Sequence, residues 1–548
     1  MRGLVGLLVL ALAACPGQGA QRIGGTPSWR GAPGRVTAVG PVTFAPSSEP
    51  AARYNESSPP VPASALGDAV TAAARDAAVA AGLPAPRPDA RLFRACAELA
   101  DLVLKQGMVG YPVIEFEMQR NGIIEPAPEL LIVWGDVSSP DPIVKELQPR
   151  LATVLRDGAT ARLGIGTAQR AGDPTGVVVF ALQASGVSTL PIPRAVAAGG
   201  RIAIDAVVDP RFHDPEVFVT YASGQTEQLD LKSGRPGGFV AQIDCGAHSG
   251  REQVEITASD AAGATVLANF PVWCGASPPL SMTVEAVTDD VPATAEEAER
   301  RLLASVNRDR AAAGLATLIW DDALAAVARA YSDEMRRTHV VAHISPTSGS
   351  AADRVRAAHI RTAVVLENVA RAYGVDEAHQ ALMNSPGHRA NLMSTLATHI
   401  GIGIAYGDGA SGRREMFITQ VFTRVPPPFN LTQAAATVRQ KLATVRPLPA
   451  VAALDRLAQQ LADGLAAGKT AEVAYQSISG QLGGLGKFYQ RVGSVITAVS
   501  DLDSVDGAGL VGSAAADELG LGIAQGPHPQ IGDNAIWIVV LLANRRTQ

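Results

Sequence analysis

Three short segments of this 548-residue chain share one pattern, two glycines spaced two apart inside an apolar run: LGIGTA at 163–168, IGIGIA at 400–405 and LGLGIA at 519–524. Glycine weakens a strand interior, so a pair of them on one strand face marks a place where another backbone comes close. Each run is followed by a Gly- or Pro-rich stretch and a second apolar run, GVVVFAL, EMFITQVF and AIWIVVLL, which completes a hairpin signature. Upstream lies a helical pattern with matching positions: Leu92, Leu99 and Asp101; Leu324, Tyr331 and Asp333; Leu454, Leu461 and Asp463. The leucine-to-glycine separations of 72, 77 and 66 residues are close enough for three copies of one unit.

The stretch between the first two copies has a different period. From about 195 to 280, RIAIDAVV, VFVTY, GFVAQID, REQVEITA and ATVLANFPVW alternate apolar and polar residues between Gly and Asp turns. That spacing predicts an antiparallel β-sandwich of immunoglobulin-like type over 191–282, with Cys245 and Cys274 as its disulfide. Cys96 sits at helical spacing with Leu92, Leu99 and Val103 and reads as a small buried hydrophobe.

The chain opens MRGLVGLLVLALAAC, one positive charge and an apolar run too short to span a bilayer, which is an export signal over 1–14. Its end, Leu12-Ala13-Ala14-Cys15, resembles a bacterial lipobox, which implies a lipid on Cys15 and attachment to the outer membrane or cell surface; cleavage after Ala13 would give a secreted form instead. Residues 15–63, rich in Pro, Gly and Ser, read as a tether. A net charge of -6 gives no electrostatic case for nucleic acid.

The middle copy carries motifs in a fixed order: Asn307 and Arg310 in NRDRAAAGL, Trp320-Asp321, His343 in HISPTSG, Arg354, Glu367-Asn368, SPGHRANLM at 385–393, Gly401 and Gly403, and Thr419-Gln420-Val421-Phe422. In this it resembles the CAP superfamily, also called SCP or PR-1-like, in its bacterial form. The resemblance covers 297–424 and implies an α-β-α sandwich around an open cleft lined by two histidines and two acidic residues. The fold class is therefore α+β: a CAP-type unit at 291–428, copies of similar architecture at 64–190 and 429–548, and the β-sandwich between. Carried over by position, His343 is the first cleft histidine, Glu367 the first carboxylate and His388 the second histidine, with Asn368 and Ser385 beside them. The second carboxylate aligns near Ser385, and Glu377 is a weak substitute for it.

Two neutral imidazoles and a carboxylate can hold a divalent metal such as zinc, with His343 and His388 as ligands and one position open. They can equally arrange a general base and its orienting partner. Blander readings stand beside these: His388 capping a helix end, and Glu367 satisfied by backbone N–H groups. HVVAH at 339–343 lacks the glutamate of a zincin helix, and His359, His379 and His399 read as surface residues. Residues 88–183 hold no histidine and 447–543 only His528, so the flanking copies lack the polar cluster. The functional expectation is a binding or cell-envelope interaction protein that uses the middle cleft for a lipid, metal or small ligand, with a Glu/His-dependent or metal-assisted hydrolase as the alternative. Its membrane contact would be the N-terminal lipid anchor.

Overall fold

The computed structural model describes residues 42–57, 63–106, 109–128, 130–154, 160–246, 249–284, 292–408, 414–425, 430–512 and 515–546, preceded by the short strands Leu8–Ala11, Cys15–Pro16 and Ala20–Ile23. Most of the expected export signal, and of the tether before residue 42, lies outside the described residues.

The first unit runs α1 (Ala65–Ala80), α2 (Ala90–Gln106), α3 (Tyr111–Arg120), β1 (Leu130–Asp136), α4 (Pro140–Val154), β2 (Thr160–Gln169) and β3 (Thr175–Ser185). Strand β3 lies between β1 and β2, antiparallel to both. Successive strand residues point to opposite faces, and the unit uses both. Leu130, Ile132, Val177 and Val179 pack on α2 and α3, whereas Leu131, Val133, Val178 and Phe180 pack on α1 and α4. The result is helix, sheet, helix.

The β-sandwich follows, with β4 (Arg201–Val208), β5 (His213–Thr220), β6 (Gly238–Asp244), β7 (Gly250–Asp260) and β8 (Gly263–Cys274). One sheet is ordered Val187–Thr189, β4, β6, Lys232–Ser233; the other is Ala195–Val196, β8, β7, β5, Thr226–Gln228. Ile202, Ile204 and Ala241 of the first sheet share a core with Val217, Ile256 and Phe270 of the second, which is what the period-two pattern requires. The disulfide Cys245–Cys274 ties the ends of β6 and β8 across the two sheets.

The middle unit repeats the layered plan: α5 (Ala295–Ala312), α6 (Asp322–Thr338), α7 (Ala351–Ala357), β9 (Val364–Ala372), α8 (Val375–Asn384), α9 (Pro386–Leu392), β10 (His399–Asp408) and β11 (Arg414–Thr423). Its sheet is ordered β9, β11, β10, with Leu8–Ala11 running parallel beside Val364–Glu367. The Thr294 side chain caps α5 by accepting the Glu297 N–H, and Asp321 caps α6 by accepting the Ala323 and Leu324 N–H groups. The last unit has α10 (Leu431–Val445), α11 (Ala452–Ala466), α12 (Ala471–Leu485), β12 (Tyr489–Val499), α13 (Gly507–Val511), β13 (Glu518–His528) and β14 (Gly532–Arg545), with strand order β12, β14, β13.

The glycine pairs explain the shared plan. A Cβ on Gly164 would come within 2.4 Å of Leu92 backbone, on Gly401 within 2.2 Å of Leu324 and Ala325, and on Gly520 within 2.3 Å of Leu454. The second glycine of each pair meets the helix one turn later, at Cys96, Ala328 and Ala458. In each unit a helix backbone rests on bare strand backbone.

One expectation about the chain before the first unit needs correction. The tether ends near residue 41, because Val42–Phe44 pairs antiparallel with Met282–Val284 and Arg53–Tyr54 with Ile192–Pro193. Two aromatic rings of that stretch decide this: Phe44 packs edge-on against Phe116, and the buried Tyr54 donates its hydroxyl to the Pro271 carbonyl at 2.6 Å. The units also touch one another through the sandwich. Asn269 on β8 donates its N–H to the Ile124 carbonyl of the first unit at 2.7 Å and its side-chain amide to the Asn384 carbonyl of the middle unit at 3.3 Å.

The helix-on-glycine contact makes a direct prediction. Gly403→Ala places a methyl on the Ala328–Arg329 backbone and is expected to cost about 3 kcal/mol or prevent folding. Gly480→Ala on α12, where a Cβ meets nothing, should be neutral or gain about 0.5–1 kcal/mol; urea unfolding of the two variants measures the contrast.

Candidate functional site

The site straddles β9. Glu367 and Asn368 are consecutive, so they face opposite sides of the sheet, and each gathers one histidine. On the α6 side, the loop after α6 brings His343 to Glu367: imidazole Nδ1 and carboxylate Oε1 are 2.9 Å apart. Oε2 of Glu367 pairs with Arg354 of α7, whose guanidinium lies 3.4 Å from the Tyr331 ring centroid and also donates to the Gly349 carbonyl at 2.6 Å. On the α9 side, the Asn368 side-chain amide donates to the His388 carbonyl at 3.2 Å and to Gln420 Oε1 at 3.0 Å. Asn391 returns two bonds of 3.0 Å, to Asn368 Oδ1 and the Glu367 carbonyl.

The local sequence fixes α9. Pro386 begins the helix, where its missing N–H costs nothing, so SPG here opens a helix. Arg310 of α5, buried, holds the other end by donating to the Leu392 and Ser394 carbonyls at 2.8 and 2.9 Å. Ser385 stands at the N-cap but does not cap. Its Oγ is 2.6 Å from His388 Nδ1 and also meets Glu255 Oε2, while Gly387 N–H donates to Glu255 Oε1 at 2.9 Å.

Glu255 belongs to β7 of the β-sandwich, and the hairpin it sits on covers the site. At the hairpin tip, the Ala262 carbonyl accepts the N–H groups of His343 and Ile344 at 3.2 and 2.9 Å. Gly263, at φ +99, allows this: a Cβ there would be 3.0 Å from the His343 Cβ. The consequence is burial. His343 and Glu367 are 1% exposed, and His388, Asn368, Ser385 and Glu255 are 0% exposed.

Burial moves two groups. It pushes the His388 imidazole down to about 3, helped by the charge of nearby His343. It also pushes the Glu255 carboxyl up to about 7, against the opposing hydrogen bonds from Ser385 and Gly387.

The sequence-predicted residues His343, Glu367, Asn368, Ser385 and His388 thus lie around β9 and α9, with changes of role for the carboxylates. Glu367 is held by an imidazole and a guanidinium, where backbone N–H groups were the alternative. Both of its oxygens are engaged, so it stands behind His343 as an orienting group. The carboxylate near Ser385 is Glu255, whereas Glu377 lies in the first turn of α8. Outside the site, His379 is buried and its Nε2 meets Asp309 Oδ2 at 2.7 Å, so it is no surface residue. His339 takes left-handed backbone at the end of α6, which puts it and His343 off one helix and removes the zincin pattern. Sequence reasoning missed Glu255, because nothing local links a sandwich strand to SPGHR; its one signal was a carboxylate inside an alternating strand.

The donors for a metal can be counted. Nε2 of His343 and Nε2 of His388 are buried and have no hydrogen-bond partner. Among the described residues no group of three or more His, Cys, Asp or Glu side chains is arranged to hold an ion, so the expected three-ligand set is not present as a cluster.

This helix-sheet-helix unit, with its buried His–Glu and His–Ser pairs, is a CAP domain: residues 303–422 match the model of the cysteine-rich secretory protein family, CAP. Two Bacillus subtilis (strain 168) proteins are similar over this region. The uncharacterized protein YkwD is 33% identical over 132 residues, 24% of this chain and 51% of that protein. The uncharacterized membrane protein YlbC is 36% identical over 108 residues, 19% of this chain and 31% of that protein. The chain thus spans about half the length of the first and a third of the second. Among solved structures, an extracellular SCP-domain protein from Bacillus anthracis aligns at 17% identity and TM-score 0.22, covering 44% of this chain and 87% of that one. An outer surface protein from Borrelia burgdorferi aligns at 20% and 0.21, covering 24% and 95%. No described helix is long and apolar enough to cross a membrane.

Two measurements follow. Arg354→Met leaves Glu367 buried beside one imidazole and is expected to destabilise by about 3 kcal/mol; adding Glu367→Gln should recover part of the loss in a double-mutant cycle read by urea unfolding. His388 stays neutral when folded but protonates near 6.5 when unfolded, so its contribution is complete above about pH 6.5 and falls away as pH drops toward 3. The stability of His388→Gln relative to the parent should therefore rise as pH is lowered through that window, with His343, Glu255 and the Glu367–Arg354 pair as the neighbouring ionisable groups.

Proposed function

We propose that this chain is an exported bacterial lipoprotein, anchored through Cys15, whose CAP domain binds a small ligand or divalent ion in the enclosed site around His343 and His388. The observation that carries this reading is the pair of unpartnered Nε2 atoms, both buried. A buried imidazole nitrogen with no partner forfeits a hydrogen bond, and a bound ion or ligand donor restores that energy. Zinc would take either imidazole nitrogen as a ligand, that of His343 being backed by a carboxylate, with the remaining positions left to water or ligand. When bound, zinc would supply Lewis acidity or simply close the site; the chain's own residues hold the two nitrogens and exclude bulk water.

The hydrolase reading has less support. Ser385 and His388 form a hydroxyl–imidazole pair at 2.6 Å, but the hydroxyl also meets Glu255 and its residue is 0% exposed. A scissile bond would have no approach to it. The first and last units, alike in architecture but without the histidine cluster, serve on this reading as degenerate copies that provide scaffold and contact surface, toward a lipid or other envelope component.

The test uses the purified full-length chain. Equilibrium dialysis against zinc is expected to give saturable binding that His343→Ala and His388→Ala each abolish, with a zinc-dependent rise in Tm in the parent only. Co-sedimentation with phosphatidylglycerol vesicles and with peptidoglycan asks the envelope question. If the parent binds zinc, vesicles and peptidoglycan no better than the two variants, the binding reading is wrong.

A further inference from the structure

The CAP site takes one of its polar groups from another domain. Glu255 lies 130 residues before Ser385, on the middle of β7, and its strand neighbours Val254 and Ile256 are buried in the sandwich core while Glu255 faces outward. Both of its oxygens meet the CAP segment: Oε1 accepts from Gly387 N–H at 2.9 Å and Oε2 accepts the Ser385 hydroxyl. A carboxylate on that face, at 0% exposure, is costly unless such bonds satisfy it.

The proton count then fixes the histidine. Ser385 has one hydroxyl proton, and with that proton directed to Glu255 only the oxygen lone pairs face His388 Nδ1, 2.6 Å away. Nδ1 must therefore be the N–H, and Nε2 must present a lone pair. When neutral, His343 takes the same state by a shorter route, since its Nδ1 faces the Glu367 carboxylate directly at 2.9 Å. With both rings neutral, the two unpartnered Nε2 atoms are acceptors.

We propose that Glu255 is a positioning residue of the CAP site, supplied by the β-sandwich, which acts through Ser385 to hold His388 in the Nδ1–H tautomer with its Nε2 lone pair free. Without the sandwich the CAP segment has no carboxylate at this place, so the functional unit is the pair of domains. This rests on the reading of the site as a set of nitrogen donors.

Substitution at Glu255 should invert the tautomer. In Glu255→Gln the amide oxygen accepts from Gly387, the amide NH2 donates to Ser385, and the hydroxyl proton turns to His388 Nδ1, which moves the imidazole proton to Nε2. Long-range 1H–15N spectra of the histidine-labelled full chain at about pH 8, where Glu255 is ionised, read this directly. The parent should show His388 Nε2 in the unprotonated nitrogen range. Glu255→Gln should show it protonated, with His343 unchanged as the internal control. Ser385→Ala, which leaves Glu255 on Gly387 but removes the relay oxygen, should release the Nδ1–H preference and guards against a Gln variant that does not fold. A parent with protonated Nε2, or a His388 signal unmoved in both folded variants, would overturn the proposal. Zinc titration separates the two readings: a parent with the expected tautomers that binds no zinc refutes the metal site and leaves the Glu255 assignment standing. If zinc binds, Glu255→Gln should weaken it by about tenfold or more.

Discussion

The contact between a helix backbone and a bare strand backbone sets the geometry of all three layered units. With no side chain at Gly401 or Gly403, α6 lies closer to β10 than any residue with a Cβ would permit. The height of α6 over the sheet then determines where its C-terminal loop emerges. That loop carries His343, and β9 carries Glu367; the 2.9 Å bond between them depends on a helix placed by two glycines on a different strand. The same approach recurs at Gly164 with Leu92 and at Gly520 with Leu454, where no histidine follows.

Buried charge is the second constraint. The CAP domain holds Glu367, Arg354 and Arg310 nearly free of solvent, and each is satisfied by partners that position something else. Arg354 couples the α7 helix to β9 and fills its flat face with the Tyr331 ring; Arg310 holds the end of α9. Such groups add little net stability compared with apolar packing, but they penalise alternative arrangements strongly, since moving any of them exposes an unpaired charge to the interior. The segment matched to the cysteine-rich family itself contains no cysteine, so this network and the apolar packing on both faces of the sheet hold it without a disulfide.

Most of the architecture was legible because its signals are local. Gly-x-Gly with a leucine upstream, period-two runs, and the Thr294 and Asp321 caps each report on residues a few positions apart. The members of the site were legible as residue types, through the order in which His343, Glu367, Asn368 and SPGHR occur. What escaped was relational. Glu255 looks like any strand carboxylate until the β7–β8 hairpin is laid on α9, and Phe44 and Tyr54 look like scattered rings in a Pro- and Gly-rich stretch until their pockets exist. Glu367 was recognisable as a site residue, but that Arg354 would occupy its second oxygen depends on how α7 packs.

The small clasp of Val42–Phe44 on Met282–Val284 has a mechanical meaning. In its register Val284 faces Val42 and Met282 faces Phe44, so the chain toward the N-terminus and the chain toward the CAP domain leave from the same end of the pair. Pulling those two exits apart loads the ladder one hydrogen bond at a time, the zipper geometry, which opens more easily than two strands sheared along their length.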